Sequence, residues 1–269
     1  MLAEERRRHI LGHLNRFGTA KVADLVEQFG VSEMTVDRDL NQMVQEGLIE
    51  KVHGGAVAKH VAEIPYRERF VQHQAEKQTV TQRAVQLVKE GQTIFLSAGT
   101  TITELARVLP KNGLKIITNS LPIAQELTLS SENDIMLTGG TVRRYAEALV
   151  GPGAKSALEN EYVHLAFISV TGIDLEQGMS VYSESEADML RHIIKAARKT
   201  VLVTDSSKYG QVMGPVVFPL DSIHVLISDD KIPKSYQSYC QENDIDLITV
   251  SVKTTSNNKT QNKKELAYA

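Results

Sequence analysis

Four short stretches of this 269-residue chain set hydroxyls, glycine or lysine directly after apolar runs. They are Ser97-Ala98-Gly99-Thr100-Thr101, Thr118-Asn119-Ser120, Thr138-Gly139-Gly140 and Thr204-Asp205-Ser206-Ser207-Lys208. Glycine lets backbone N–H groups come close to a ligand, neighbouring hydroxyls donate, and a helix N-terminus behind them adds positive potential. That chemistry holds an anion. One such stretch alone reads as a turn or a helix cap. If the apolar runs are parallel strands, however, all four meet at the carboxyl edge of the sheet, where open α/β sheets bind ligands. The reading predicts a small, anionic, hydroxyl-rich ligand such as a sugar phosphate.

A second group lies in VSEMTVDRDL, residues 31–40. Ser32 precedes a stretch with helical spacing, in which Val36, Leu40, Met43 and Val44 fall on one side. Met34, Arg38 and Asn41 fall on the other, as expected of a helix that enters a DNA groove. Asp37 and Asp39 flank the arginine and would repel phosphate. Cations, including Arg6, Arg7 and Arg8, are outnumbered by acids over the first 60 residues, so DNA binding there requires them to be placed asymmetrically.

Other signals carry less. Gly151-Pro152-Gly153 imitates the start of a dinucleotide fingerprint, but Ser156 stands where its third glycine would be. Glu184, Glu186 and Asp188, with Lys195 and Lys208, contain acid–base groups suited to a sugar-phosphate isomerase. Charged residues that open a helix more often serve its dipole. The single Cys240 excludes an internal disulfide and a cysteine zinc cluster, and the eight histidines lack metal-ligand spacing. Neither a catalytic residue, a metal nor a cofactor is expected.

The elements that position these residues divide the chain. Residues 3–16, 21–29 and a stretch from Ser32 to about Gly47 read as helices, with glycines as stops. LIEKVHGGAVA then reads as a hairpin around His53-Gly54-Gly55. Residues 1–57 are thus expected to be a winged helix-turn-helix, and residues 58–73 a linker. Over 74–252 amphipathic helices alternate with the runs TIFLSA, KIITN, DIMLTGG, TVLVTD, IHVLIS and DLITV. That pattern predicts an α/β domain with a mostly parallel sheet covered on both faces. Residues 253–269 read as a disordered polar tail. With 42% hydrophobic and 23% charged residues, no signal-like start and no membrane-length apolar run, the chain is expected in the cytoplasm, away from membranes.

In order and spacing, RRRHIL, VSEMTVDRDL, GLIEKVHGGAV, SAGTT, IITNSLPIAQEL, LTGGTVRR, VTGID, SEADMLR and TDSSKYG resemble the DeoR family of bacterial transcriptional regulators, over residues 3 to about 250. The resemblance implies a winged helix-turn-helix followed by an α/β sensor related to sugar-phosphate isomerases. It also implies a repressor of a sugar-utilisation operon, acting on double-stranded operator DNA and relieved by a small phosphorylated sugar. An isomerase or deaminase with an accessory DNA-binding domain is the alternative. Ser32, Thr35 and Arg38 hold groove-helix positions and Lys51, His53 and Gly54 the wing, with Arg7, Met34, Asp37 and Asn41 added as expected DNA contacts. Gly99, Thr100, Thr101, Asn119, Gly139, Gly140 and Lys208 hold effector-pocket positions, with Ser97, Ser120 and Arg143 beside them. The chain departs from the family pattern at three sites. Asp37 replaces an arginine, Ser97 an aspartate, and Leu190 a lysine. One helix-turn-helix reads one half-site, so a homodimer or homotetramer is expected.

Overall fold

The computed structural model describes residues 2–58 and 63–252, without the side chains of residues 15–17. The expected tail at 253–269 lies outside the described residues. The N-terminal unit runs α1 (Ala3–Phe17), β1 (Thr19–Lys21), α2 (Val22–Phe29), α3 (Glu33–Gln45), β2 (Ile49–Val52) and β3 (Gly55–Ala58). Helical spacing brings Ile10, Leu14, Leu25, Val36, Leu40 and Met43 into one core with Ile49 and Ala56. Val44, expected on that side, is 39% exposed, because the buried stripe runs through 36, 40 and 43 and leaves it at the rim. Gly30, left-handed at φ 61°, ends α2. The wing is the β2–β3 hairpin, and β1 pairs with β3 to make a sheet of order β1-β3-β2.

Beyond the winged helix, the chain forms α4 (Tyr66–Phe70), α5 (Gln74–Ala84), β4 (Thr93–Leu96), α6 (Thr100–Val108), β5 (Lys115–Thr118), α7 (Leu121–Ser130) and β6 (Asp134–Leu137). A hairpin of β7 (Thr141–Arg143) and β8 (Ala148–Val150) follows, then α8 (Pro152–Ser156), β9 (Val163–Ile168) and a second hairpin, β10 (Gly172–Asp174) with β11 (Gly178–Ser180). Last come α9 (Glu184–Ala196), β12 (Ala197–Val203), β13 (Val225–Asp229), α10 (Lys234–Glu242) and β14 (Asp246–Val250). The main sheet has seven strands, in the order β14-β13-β12-β9-β4-β5-β6, all paired in parallel.

Alternation along the strands feeds two cores. Ile94 and Leu96 of β4 pack on one face with Val80, Leu105 and Ile123 from α5, α6 and α7. Phe95, between them, packs on the other with Met189, Ile193 and Cys240 from α9 and α10. Two sequence expectations need correction. The alternating pattern accounts for six strands of the main sheet, and the missing one, β9, is its middle strand; it runs into a hairpin instead of a helix, which breaks the alternation. The stretch expected as a linker carries α4, whose Tyr66 is buried and donates its hydroxyl to Thr103 Oγ1 at 2.9 Å.

Candidate functional site

On the winged helix, Ser32 caps α3. Its Oγ accepts from the Thr35 backbone N–H at 3.3 Å and lies 2.9 Å from the Thr35 hydroxyl. Met34, Asp37, Arg38 and Asn41 then line one open surface with Glu33, Gln42 and Gln45. Met34 is 73% exposed, an apolar group left outside the core. The wing reaches this surface through Lys51, whose Nζ is 2.9 Å from Asp37 Oδ1 and donates to Asn41 Oδ1 at 3.3 Å. Both partners of the ion pair are solvated, so it adds at most about 1 kcal/mol. Its effect is positional: it fastens the wing to the outward face of α3.

Asp39 is a different case. It is 2% exposed, and Arg6 Nε of α1 donates to its Oδ2 at 2.5 Å. Arg7 Nη1 donates to Oδ1 of the same carboxylate at 3.5 Å. Arg7, expected on DNA, is therefore turned onto the α1–α3 contact. His53, expected on DNA through the wing, borders a cleft that Gly54 and Lys21 share with the sensor's Asp174–Gln177 turn and Gly210.

The sensor pocket opens at the carboxyl ends of β4, β5, β9 and β12. Of the positions expected to bind an effector, Ser97, Gly99, Thr100, Thr101, Asn119 and Lys208 line this one cavity. Gly99, at φ 155° and ψ 148°, is the N-cap of α6, and a Cβ there would lie 3.4 Å from Ser169 Cβ. Only glycine occupies that backbone region readily. Asn119 fastens two loops: its Oδ1 accepts from Ala98 N at 2.9 Å and its Nδ2 donates to Leu149 O at 3.0 Å. Ser97 Oγ accepts from Ser169 N at 3.3 Å.

Three expected positions do not line the pocket by their own geometry, and a fourth sits behind it. Ser120 caps α7, its Oγ accepting from Ile123 N at 3.4 Å. Gly139 and Gly140 form the positive-φ turn into β7, and a Cβ on Gly140 would meet Val150 O at 2.7 Å, so close backbone packing explains that glycine. Arg143 binds Glu63 through both guanidinium ends and lies 3.2 Å from Glu186. Glu186 itself faces the cavity.

Arg69, His73 and Lys77 also line the cavity, although the sequence reading assigns them no role there; Ser169, Thr171 and Glu186 join them. The first three come from the end of α4, the left-handed His73 and the start of α5, so no single helical period in the sequence groups them. Burial lowers the Lys77 ammonium to about 8, with the Asp205 carboxylate opposing. It also lowers Lys208, again with Asp205 opposing and Arg69 reinforcing. Glu186 is raised by burial, against the pull of Arg143. Desolvated, incompletely compensated cations favour an anion that enters beside them. Among the described residues, no group of His, Cys, Asp or Glu could hold a metal ion, and no helix is long and apolar enough to cross a membrane.

Residues 6–61 match the model of a DeoR-like helix-turn-helix domain, and residues 72–230 that of the DeoR C terminal sensor domain. The HTH-type transcriptional regulator GlpR of Haloferax volcanii is 38% identical over 232 residues, covering 85% of this chain and 91% of that protein. The lactose phosphotransferase system repressor of Streptococcus mutans is 33% identical over 243 residues, covering 87% and 96% respectively. A solved structure, ribose 5 phosphate isomerase A from Neisseria gonorrhoeae, is 16% identical, covers 54% of this chain and 57% of its own, and has a TM-score of 0.35. With both domain models matched in order and relatives aligned over most of their length, the chain belongs to the DeoR family of helix-turn-helix transcriptional regulators.

Proposed function

We propose that this regulator represses a carbohydrate-utilisation operon and leaves its double-stranded DNA operator when a phosphorylated sugar enters the sensor pocket. The observation that carries this reading is the convergence of Arg69, His73, Lys77 and Lys208 on a hydroxyl-rich strand edge at the N-terminus of α6. A phosphate there meets backbone N–H groups, helix potential and cations together. Ser97, Ser169, Thr171 and Gln72 suit the hydroxyls of a sugar. Arg69 and Lys77 supply charge in a pocket where Ser97 and Leu190 are neutral. Kinship with a lactose phosphotransferase system repressor supports the carbohydrate assignment.

On the DNA side, Arg38 suits a guanine edge, Asn41 an adenine edge and Met34 a thymine methyl group. Paired half-sites call for a homodimer or homotetramer. The enzyme reading is weaker on a specific ground. Among the described residues that line the pocket, Glu186 is the only carboxylate, and Arg143 and Ser183 engage it at 3.2 Å and 3.1 Å. An acid–base pair for isomerisation is not assembled there.

The test is a gel-shift titration on DNA from upstream of this gene and its neighbours, repeated with a panel of sugar phosphates. One panel member should release the DNA. Aldose–ketose interconversion of a panel member, with DNA binding unaffected, would favour the enzyme instead. Silence across the whole panel would defeat the effector assignment.

A further inference from the structure

We propose that the segment Asp205–Gly214 is a mechanical relay, with Lys208 on the pocket at one end and the winged helix docked on Gly210 and Val212 at the other. The proposal rests on the reading of the pocket as an anion sensor, and adds how that sensor reaches the DNA-binding unit.

The geometry is short-range throughout. Lys208 lines the pocket, and Thr19 of β1 donates its hydroxyl to Gly210 O at 3.1 Å. Two residues of chain span at most about 7 Å, so pocket contact and domain contact are nearly adjacent. A little further on, the Val212 carbonyl lies so close to Gly18 that a Cβ there would fall 1.9 Å from its oxygen. Gly18 is left-handed, at φ 78°, and forms the junction between α1 and β1. At Gly18 the two units therefore meet backbone to backbone, with the Met213 side chain packed beside the contact.

The segment is also stiff. Gly210 N donates to Ile173 O at 2.8 Å and is shared with Tyr236 Oη at 2.9 Å. Tyr236 Oη in turn donates to Ile173 O at 2.9 Å. Gln211 Nε2 donates to Ser207 O at 2.8 Å, and Met213 N to Ser180 Oγ at 3.0 Å. The segment is thus laid along the β10–β11 hairpin, whose flanks Thr171 and Val181 line the same pocket. Once the Lys208 backbone shifts, the segment has few soft torsions in which the shift can dissipate before it reaches Gly210.

Lys208 has a reason to move. Its ammonium is attracted by Asp205, a buried carboxylate whose Oδ2 has no hydrogen-bond partner among the described residues. An anion in the pocket competes with Asp205 for that ammonium. On the receiving side, β1 pairs with β3 of the wing, and Val22 N donates to Gly54 O at 2.9 Å. The wing then reaches α3 through Lys51. From Gly210 to α3 each link is a contact between packed groups, and their coupling is what the experiment measures.

Amide hydrogen exchange over residues 18–22, on the full chain and with inorganic phosphate as probe, reads the relay directly. Calorimetry on the same samples reports whether phosphate binds. In the unmodified protein, bound phosphate should change exchange at 18–22 by about threefold or more. Thr19→Val, which removes only the hydroxyl donor, should bind phosphate within about twofold of the unmodified affinity while losing most of that exchange response. Bound phosphate with unchanged exchange at 18–22, or a full response in Thr19→Val, would overturn the relay. If phosphate does not bind, the anion-sensor reading is what fails. The ligand-free Lys208→Met variant then decides the relay alone: altered exchange at 18–22 with an unchanged unfolding midpoint supports it, and unaltered exchange overturns it.

Discussion

At Asp39 the turn of α3 carries a carboxylate off the outward face and onto Arg6, and the two are desolvated together. Removing one partner of such a pair leaves a buried charge uncompensated, which costs about 3–5 kcal/mol. Asp39→Ala should lower the stability of the winged helix by that order in urea unfolding; a loss below about 1 kcal/mol would mean that Arg6 escapes to solvent. Asp37, two residues earlier, has the opposite character: it is partly exposed and neutralises Lys51. Asp37→Arg adds one cation to the proposed groove face and frees another. The slope of log affinity against log salt should steepen by about one to two units. Parallel lines for the two proteins would remove Asp37 from the groove. Sequence spacing alone tells Arg38 from Leu40. It does not tell these two acids apart, because their partners lie 33 residues back on α1 and in the wing.

Elements whose burial follows one period were legible. The three N-terminal helices, the wing and six parallel strands can all be read from apolar spacing and glycine stops. Where tertiary contact overrides local pattern, the reading fails. The residues of α4 are mostly charged, and only the Tyr66–Thr103 hydrogen bond and packing on α6 reveal it as a pocket wall. With it went Arg69 and His73, and Ser169 and Thr171 were lost with β9. The loop that opens α6 was visible because glycine was required there. Gly99→Val would force a branched side chain into a backbone region that costs about 1–3 kcal/mol, and against Ser169. Effector-driven release should vanish while operator affinity, set on the α3 face that Gly99 does not touch, stays within about twofold. Release by effector at wild-type concentrations would remove Gly99 from the pocket.

For the whole molecule, if the effector binds beside Lys77, that lysine should couple pH to ligand binding and to stability with opposite signs. Its ammonium is held near 8 by burial, whereas a free lysine titrates at about 10.4. Between those values the unfolded chain keeps a proton that the folded chain has released, so this group makes folding more favourable as pH rises, by up to about 1.4 kcal/mol per pH unit. An anion beside Lys77 demands that proton back. A phosphate ester loses its second proton near pH 6, so effector affinity should be flat from about pH 6 to 8. Above 8 it should fall by as much as about tenfold per pH unit, with Lys208 contributing in the same direction. On the acid side, protonation of Glu186, whose carboxyl is raised by burial, removes a repelling charge and blurs the edge, which makes the alkaline limb the informative one. Lys77 Nζ also donates to Arg69 O at 2.6 Å, so Lys77→Met should loosen α4 somewhat, and only differences between the two proteins across pH are diagnostic. Unfolding midpoints and calorimetric affinities, each taken from pH 7 to 10 for wild type and Lys77→Met, provide both curves. If Lys77 is the coupling group, the wild type should gain stability and lose affinity over this range relative to the variant. Affinity profiles that superimpose would place the anion elsewhere in the pocket.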